Sequence, residues 1–144
     1  VRLKPYIYVF FQLSALVFIA LNVPLFKMTI LSYIAIIGSI LLGIWALWTI
    51  HPQRVNILPV PHPNGVLVTH GPYAVIRHPM YTAQLFAALV AAIESALWLN
   101  AGVWLLYMVL LVMKAAYEEQ GLVKQFSDYR EYQQKTWRLV PFLY

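Results

Sequence analysis

Apolar residues dominate positions 6 to about 24 and about 28 to 50, both without charge, and again 79 to 99 and 101 to 117, where Glu94 and Lys114 are the charged residues. Polar or proline-rich stretches separate these runs. Each run holds roughly twenty residues, and at about 1.5 Å per residue that is enough helix to cross a hydrocarbon core of about 30 Å. The pattern predicts an all-α fold: an integral membrane helical bundle of about four transmembrane helices, a cytoplasmic-side loop and a C-terminal helix. It reads as one domain over residues 1–144. Residues 1–50 form two transmembrane helices, 51–78 a cytoplasmic loop, 79–117 a helical hairpin and 118–144 a C-terminal cytoplasmic segment.

Local signals mark the boundaries. Asn22-Val23-Pro24 ends the first run, and Lys27 marks a short connection. In the second run Ser39 and Gly43, four apart, allow close approach of a neighbouring helix, and Trp45 and Trp48 suit a membrane interface. Six of the nine prolines fall at 52, 59, 61, 63, 72 and 79, so residues 51–78 cannot be a continuous helix. Pro63-Asn64-Gly65 predicts a turn, and Val66-Leu67-Val68 a short extended piece. Asn100 and Gly102 predict the reversal of the hairpin. The fourth helix is expected to leave the membrane near Lys114 and to continue as a polar helix to about Lys135.

Composition sharpens the class. The chain is 62% hydrophobic and 10% charged, against about 25% charged in soluble domains. The net charge of +5 reads as basic residues beside membrane helices rather than as a nucleic-acid surface. With four spans and the N-terminus inside, nine of the ten basic residues lie on the inner side and only Lys27 faces out. That bias predicts both termini, the 51–78 loop and the C-terminal segment on the cytoplasmic side. The apolar run after Arg2 and Lys4 is too long for a cleavable signal and lacks a small-residue cleavage pattern. There is no cysteine, hence no thiolate metal site or redox motif. His51, His62 and His70, spaced by eleven and eight, share no helical pairing, so no metal is expected.

Candidate chemistry centres on Gly71-Pro72-Tyr73-Ala74-Val75-Ile76-Arg77-His78-Pro79-Met80-Tyr81. Pro79 suits the first position of a helix, where its missing N–H costs nothing. Arg77 and His78 then stand at a helix mouth that attracts anions, and an arginine there suits a carboxylate or phosphate. An interfacial anchor is the competing reading. An antiparallel hairpin returns the fourth helix to the same face near Glu118-Glu119. Adjacent on a helix, these two diverge by about 100°, so one faces the Arg77-His78 mouth and the other solvent or the C-terminal segment. Glu94, deep in the third run, falls toward the outer face.

The order Gly-Pro-Tyr, three residues, Arg-His-Pro-Met-Tyr resembles the signature of integral-membrane methyltransferases typified by isoprenylcysteine carboxyl methyltransferase, to which phospholipid methyltransferases are more distantly related. The acidic pair Glu118-Glu119 about forty residues on, then Phe126, Tyr129, Tyr132 and Pro141, extend the match over roughly residues 60–141. The resemblance implies S-adenosyl-L-methionine as cofactor and a lipid-like or hydrophobic methyl acceptor reached from membrane lipid, with no nucleic-acid or metal partner. It implies cofactor contacts at Tyr73, Ala74, Val75, Ile76, Arg77, His78, Tyr81, Phe86, Leu89, Glu118 and Glu119, with Glu118 favoured of the pair. Lys114, Tyr129 and Tyr132 fall to the acceptor.

Carboxyl O-methylation of an isoprenylcysteine-type substrate is one reaction this implies, and a carboxylate needs no proton removed. Phospholipid or small-molecule N- or S-methylation is the alternative, for which Glu118, Glu119 and His78 are candidate bases. Three departures bear on the acceptor. Ala83 stands at a position often glycine in the family. Lys114 stands where the carboxyl methyltransferases tend to carry arginine, and Val66 where eukaryotic members carry a polar side chain. A non-enzymatic membrane scaffold or transporter subunit is the third reading. A transporter is expected to show interrupted helices or charges at mid-membrane, whereas the central parts of the first, second and fourth runs hold no charge and the third holds only Glu94.

Overall fold

The computed structural model describes residues 3–50, 58–59, 65–95 and 97–144. The readings for His51, His62, Arg54 and most of the Pro63-Asn64-Gly65 turn lie outside the described residues. The described chain is helical: α1 (Lys4–Leu21), α2 (Ile30–Ile50), α3 (Pro79–Glu94), α4 (Trp98–Gln125) and α5 (Tyr129–Lys135), with a 3-10 turn at Gly71–Ala74 before α3. Three of these helices, α1, α2 and α4, are long and apolar enough to cross a membrane. At 16 residues α3 is about 24 Å long, short of a full hydrocarbon core.

The helix ends follow from local chemistry. Pro5 sits in the first turn of α1, where backbone N–H groups have no partner to lose. The Asn22 carboxamide donates to the Phe18 carbonyl at 2.8 Å where α1 ends. Thr29 caps α2, its hydroxyl accepting from the Ser32 N–H at 3.2 Å. Pro79 opens α3 as expected.

The hairpin departs from the expectation at its tip. α3 ends at Glu94 and α4 begins at Trp98, so Asn100-Gly102 lie inside α4 rather than at the reversal. Two contacts stop α3 early. The Glu94 carboxylate accepts from Thr29 Oγ1 at 3.1 Å and from the Ser32 hydroxyl, tying the end of α3 to the start of α2. The Ser95 hydroxyl donates back to the Ala92 carbonyl at 2.8 Å. Asn100 is buried, and its side-chain amide has no hydrogen-bond partner among the described residues. The polar helix expected to reach Lys135 is likewise broken: α4 stops at Gln125, residues 126–128 turn, and α5 follows. Val66-Leu67-Val68 forms no strand.

The core lies between α1, α3 and α4, built on Ile19, Leu85, Ala88, Ala91, Tyr107 and Leu111. Helix α2 buries only Ser39 and Ala46 and leans on α3 through small residues. A Cβ built on Gly43 would stand 3.6 Å from the Ala83 Cβ. The outer faces of α1 and α2, with Phe10, Leu13, Val17, Ile34, Leu41 and Trp48, are exposed apolar surface suited to lipid.

The C-terminal segment closes the end of the bundle at which α3 begins. Trp137 N–H donates to the Val75 carbonyl at 3.0 Å, and the Trp137 carbonyl accepts from Arg77 N–H at 2.8 Å. Ile76 and Trp137 thus pair as parallel extended residues. His78 N–H donates to the Arg138 carbonyl at 3.1 Å, and the Thr82 hydroxyl to the Leu139 carbonyl at 2.6 Å.

Candidate active site

The turn before α3 is seated on α2. Gly71 has φ +61°, and a Cβ there would lie 2.9 Å from Thr49 Oγ1, so a residue without a side chain is required. From this turn Tyr73, Arg77 and His78 project toward the end of α4.

Glu118 and Glu119 diverge as adjacent helical residues must. Glu119 is almost fully buried and gathers cations. Arg77 Nε donates to its Oε1 at 2.7 Å, and Arg138 Nε and NH2 donate to its Oε2 at 3.0 and 2.8 Å. Gln133 Nε2 donates to the same oxygen at 3.2 Å. The Arg77 guanidinium also donates to the carbonyls of Gln133, at 3.1 Å, and of Thr136. Glu118 looks the other way. Its Oε2 accepts from the Tyr81 hydroxyl at 2.8 Å and lies 3.7 Å from His78 Nδ1, while His78 Nε2 lies 3.3 Å from Glu119 Oε1. The His78 and Tyr81 rings are parallel, centroids 5.2 Å apart.

Beside Glu118 is a cavity of about 230 Å³. Tyr73, Arg77, His78, Tyr81, Lys114 and Glu118 line it, together with Gln12, Ile50, Met80 and Gln84. Lys114 is buried, with Nζ 5.0 Å from the Tyr81 ring centroid, a cation–π arrangement. The Tyr73 hydroxyl is buried and has no hydrogen-bond partner among the described residues. Burial holds the Tyr73 phenol well above its ordinary range, helped by the charge of Glu118.

The remaining candidates lie elsewhere. Ala74 and Tyr132 face a separate groove with Glu131 and Lys135. Val75 is exposed and Ile76 buried. Neither Phe86, exposed on α3, nor Leu89 lines the cavity. Tyr129 and Tyr132 are buried edge to face, centroids 5.6 Å apart, and the Tyr132 hydroxyl donates to the Tyr73 carbonyl at 2.6 Å. Burial raises both phenols above their usual range.

Gln12, Gln84, Tyr107 and Arg138 entered no sequence-based assignment. Uncharged amides inside apolar runs were the available signal, since polar groups in lipid are costly.

A family model described as phospholipid methyltransferase matches residues 27–129, most of the chain and all of the cavity lining except Gln12. The chain belongs to the phospholipid methyltransferase family. The cobalt-zinc-cadmium resistance protein CzcN of Cupriavidus metallidurans is similar, 31% identical over 81 residues that cover 56% of this chain and 38% of that protein. The chain therefore spans well under half the length of that relative.

Proposed function

We propose that the protein is an integral-membrane methyltransferase that uses S-adenosylmethionine and methylates a lipid-like acceptor, with the cavity between α1, α3 and α4 as its active site. The observation that carries this reading is the convergence of two segments about forty residues apart in a chain of this family. His78 stands between the Glu118 and Glu119 carboxylates at 3.7 and 3.3 Å, at the rim of a cavity that also holds a buried cation.

The residues present fit the cofactor. A carboxylate at Glu118 suits an ammonium or ribose hydroxyls. The parallel His78 and Tyr81 rings offer faces to a sulfonium or adenine. The Tyr73 hydroxyl, without a hydrogen-bond partner among the described residues, is a donor suited to an oxygen or nitrogen of the cofactor. When bound, S-adenosylmethionine supplies an electrophilic methyl group. The protein's part is to orient donor and acceptor and to exclude water. Arg77, locked to Glu119 and to the C-terminal carbonyls, fixes the wall on which His78 and Tyr73 stand.

The acceptor is read as lipid-like because the cavity opens within helices whose outer faces suit lipid. An isoprenylcysteine-type carboxylate and a phospholipid head are both within this reading. We also take the active site and both termini to be cytoplasmic, on the distribution of the basic residues. Calorimetric titration of S-adenosylmethionine into the detergent-solubilised protein tests the proposal. Saturable one-to-one binding, weakened at least tenfold in Glu118→Gln, is expected. No binding by folded wild-type protein would overturn it.

A further inference from the structure

After α5 the chain turns back on itself over residues 139–144. The Leu139 and Val140 N–H groups both donate to the Tyr144 carbonyl, at 2.8 and 2.9 Å. Phe142 stands inside this turn with φ +65°, and no other non-glycine residue among those described has a positive φ. A bulky side chain is costly in that conformation, yet the protein itself makes little use of the ring. It meets Trp137, centroids 4.8 Å apart, and the residue is still 87% exposed. Leu143 beside it is 82% exposed. The flanks of this apolar tip are amphipathic. Trp137 lies on one side. On the other the Tyr144 ring centroid is 5.0 Å from Arg138 Cζ, and the Tyr144 hydroxyl accepts from the same guanidinium.

Helix α3 locates the turn. Thr82, Phe86, Leu89 and Ile93 are spaced by four, three and four, so they form one stripe along the helix. Phe86 and Ile93 are exposed and Leu89 is half-buried, as the apolar residues of a lipid-facing stripe are. Thr82 alone of the four is buried, and its hydroxyl donates to the Leu139 carbonyl. The C-terminal segment therefore lies on the lipid-facing side of α3, about 5 Å along the helix from Pro79. Segments that lie in a membrane interface sink about 5–10 Å into it, a matching depth. On a water-facing turn, Phe142 and Leu143 would be two bare apolar side chains on a costly backbone. At this place they meet the boundary between head groups and acyl chains. Trp and Tyr suit the same boundary, with a polar edge in water and an apolar body in lipid.

We propose that Phe142 and Leu143 are a membrane seat: the bilayer interface is the partner of this surface, and its hold on the tip keeps residues 137–139 against α3. A chain segment expected to be cytoplasmic thus returns to the bilayer at its tip. The backbone bonds of Trp137 and Arg138 to Val75, Arg77 and His78 hang from the seated segment. Lipid contact at the tip steadies the wall that carries His78 without touching the cavity.

The sequence has no cysteine, so a single introduced cysteine carries a nitroxide label at one chosen position. Three variants of the full chain are reconstituted in phosphatidylcholine vesicles: Leu143→Cys, Ile37→Cys in the exposed middle of α2, and Ser127→Cys in the exposed turn between α4 and α5. Oxygen, which concentrates in hydrocarbon, and a water-soluble nickel chelate then compete for collisions with each label. Position 143 is expected to favour oxygen, as position 37 does, and position 127 to favour nickel. Preference for nickel at 143 would overturn the proposal. So would shielding from both reagents, which would mean that a second copy or another part of the chain covers the tip. Leu143→Asp tests the coupling by hydrogen exchange in the same vesicles. Loss of the leucine from lipid should speed exchange of the Arg77, His78 and Trp137 amides about tenfold or more, with the amides of α4 around Leu111 unchanged. Unaltered exchange at those three amides would refute the seat, because a charge on a water-facing turn disturbs nothing. Should Leu143→Asp unfold, the collision preference at position 143 still decides.

Discussion

Arg77 and Glu119, 42 positions apart in the chain, form a buried ion pair with Nε and Oε1 2.7 Å apart. Charge at this depth is tolerable because Glu119 is shared. Arg138 occupies its second oxygen, and His78 approaches the first. The carboxylate is thus a hub that joins α4, the turn before α3 and the C-terminal segment.

Removing the hub should cost more than removing one spoke. Glu119→Gln leaves Arg77 and Arg138 without their anion, and loss of one partner of a buried pair typically costs about 3–5 kcal/mol. Arg77→Met leaves Glu119 its bonds to Arg138, so its cost should be smaller. Combining the two should cost less than the sum, because the partners touch. Thermal unfolding in detergent of the wild type, the single variants and the double variant checks the order.

Ligand binding should separate the two glutamates differently. Glu118→Gln removes the cavity-side carboxylate and should weaken S-adenosylmethionine by about tenfold to a hundredfold, the loss of one charged hydrogen bond worth about 1.5–3 kcal/mol. Glu119→Gln, titrated where it remains folded, should affect the cofactor less. Calorimetry on both variants decides, and equal small effects would speak for a scaffold.

Gly71→Ala should destabilise the site end of the bundle. Its φ of +61° costs an L side chain about 1–2 kcal/mol, and the new methyl would press on Thr49 at 2.9 and 3.1 Å. The companion change Thr49→Ala should recover part of the loss. Melting temperatures of the single and double variants measure it.

Alkaline solution should loosen the C-terminal segment. Burial raises the phenols of Tyr73, Tyr129 and Tyr132 above the ordinary value of 10.0. A group whose folded pKa is raised stabilises the fold fully below its unfolded pKa. That contribution is lost as pH climbs from about 10 toward the folded value, because the unfolded chain ionises first. Stability should therefore hold from neutral pH to about pH 10 and fall above it, and Tyr132→Phe should blunt the fall. Chemical unfolding monitored across that range, with the variant alongside, tests the sign.

Much of the architecture was legible from the alternation of apolar runs with polar stretches, because a helix in lipid must satisfy its backbone internally and needs a fixed length to do so. The meeting of the Arg77-His78 and Glu118-Glu119 segments was legible from the hairpin. Its tip was not. Asn100 looked like a turn residue, yet it is buried inside α4, and the turn is placed by a contact from Glu94 to Thr29 and Ser32 that no local pattern announces. The hydrogen-bond chain of Lys114, Gln12 and Gln84 was equally hidden. Its members stand 102 and 72 positions apart, and each alone is merely one amide or one lysine in an apolar run. Arg138 read only as a contribution to charge bias, since its carboxylate partner becomes visible only when the segment after α5 folds back.

That return of the chain carries a consequence for biogenesis. The pairing of residues 75–78 with Trp137 and Arg138, and of Thr82 with Leu139, uses a stretch that leaves the ribosome after α1 to α4 have been made. Membrane insertion of the helices therefore precedes completion of the rim around His78. A nascent chain released before residue 136 would hold its four apolar helices yet lack the two backbone bonds on which Arg77 and His78 hang, and Glu119 would still await its second arginine. Assembly of this rim is thereby deferred until residues 137–139 have emerged and docked.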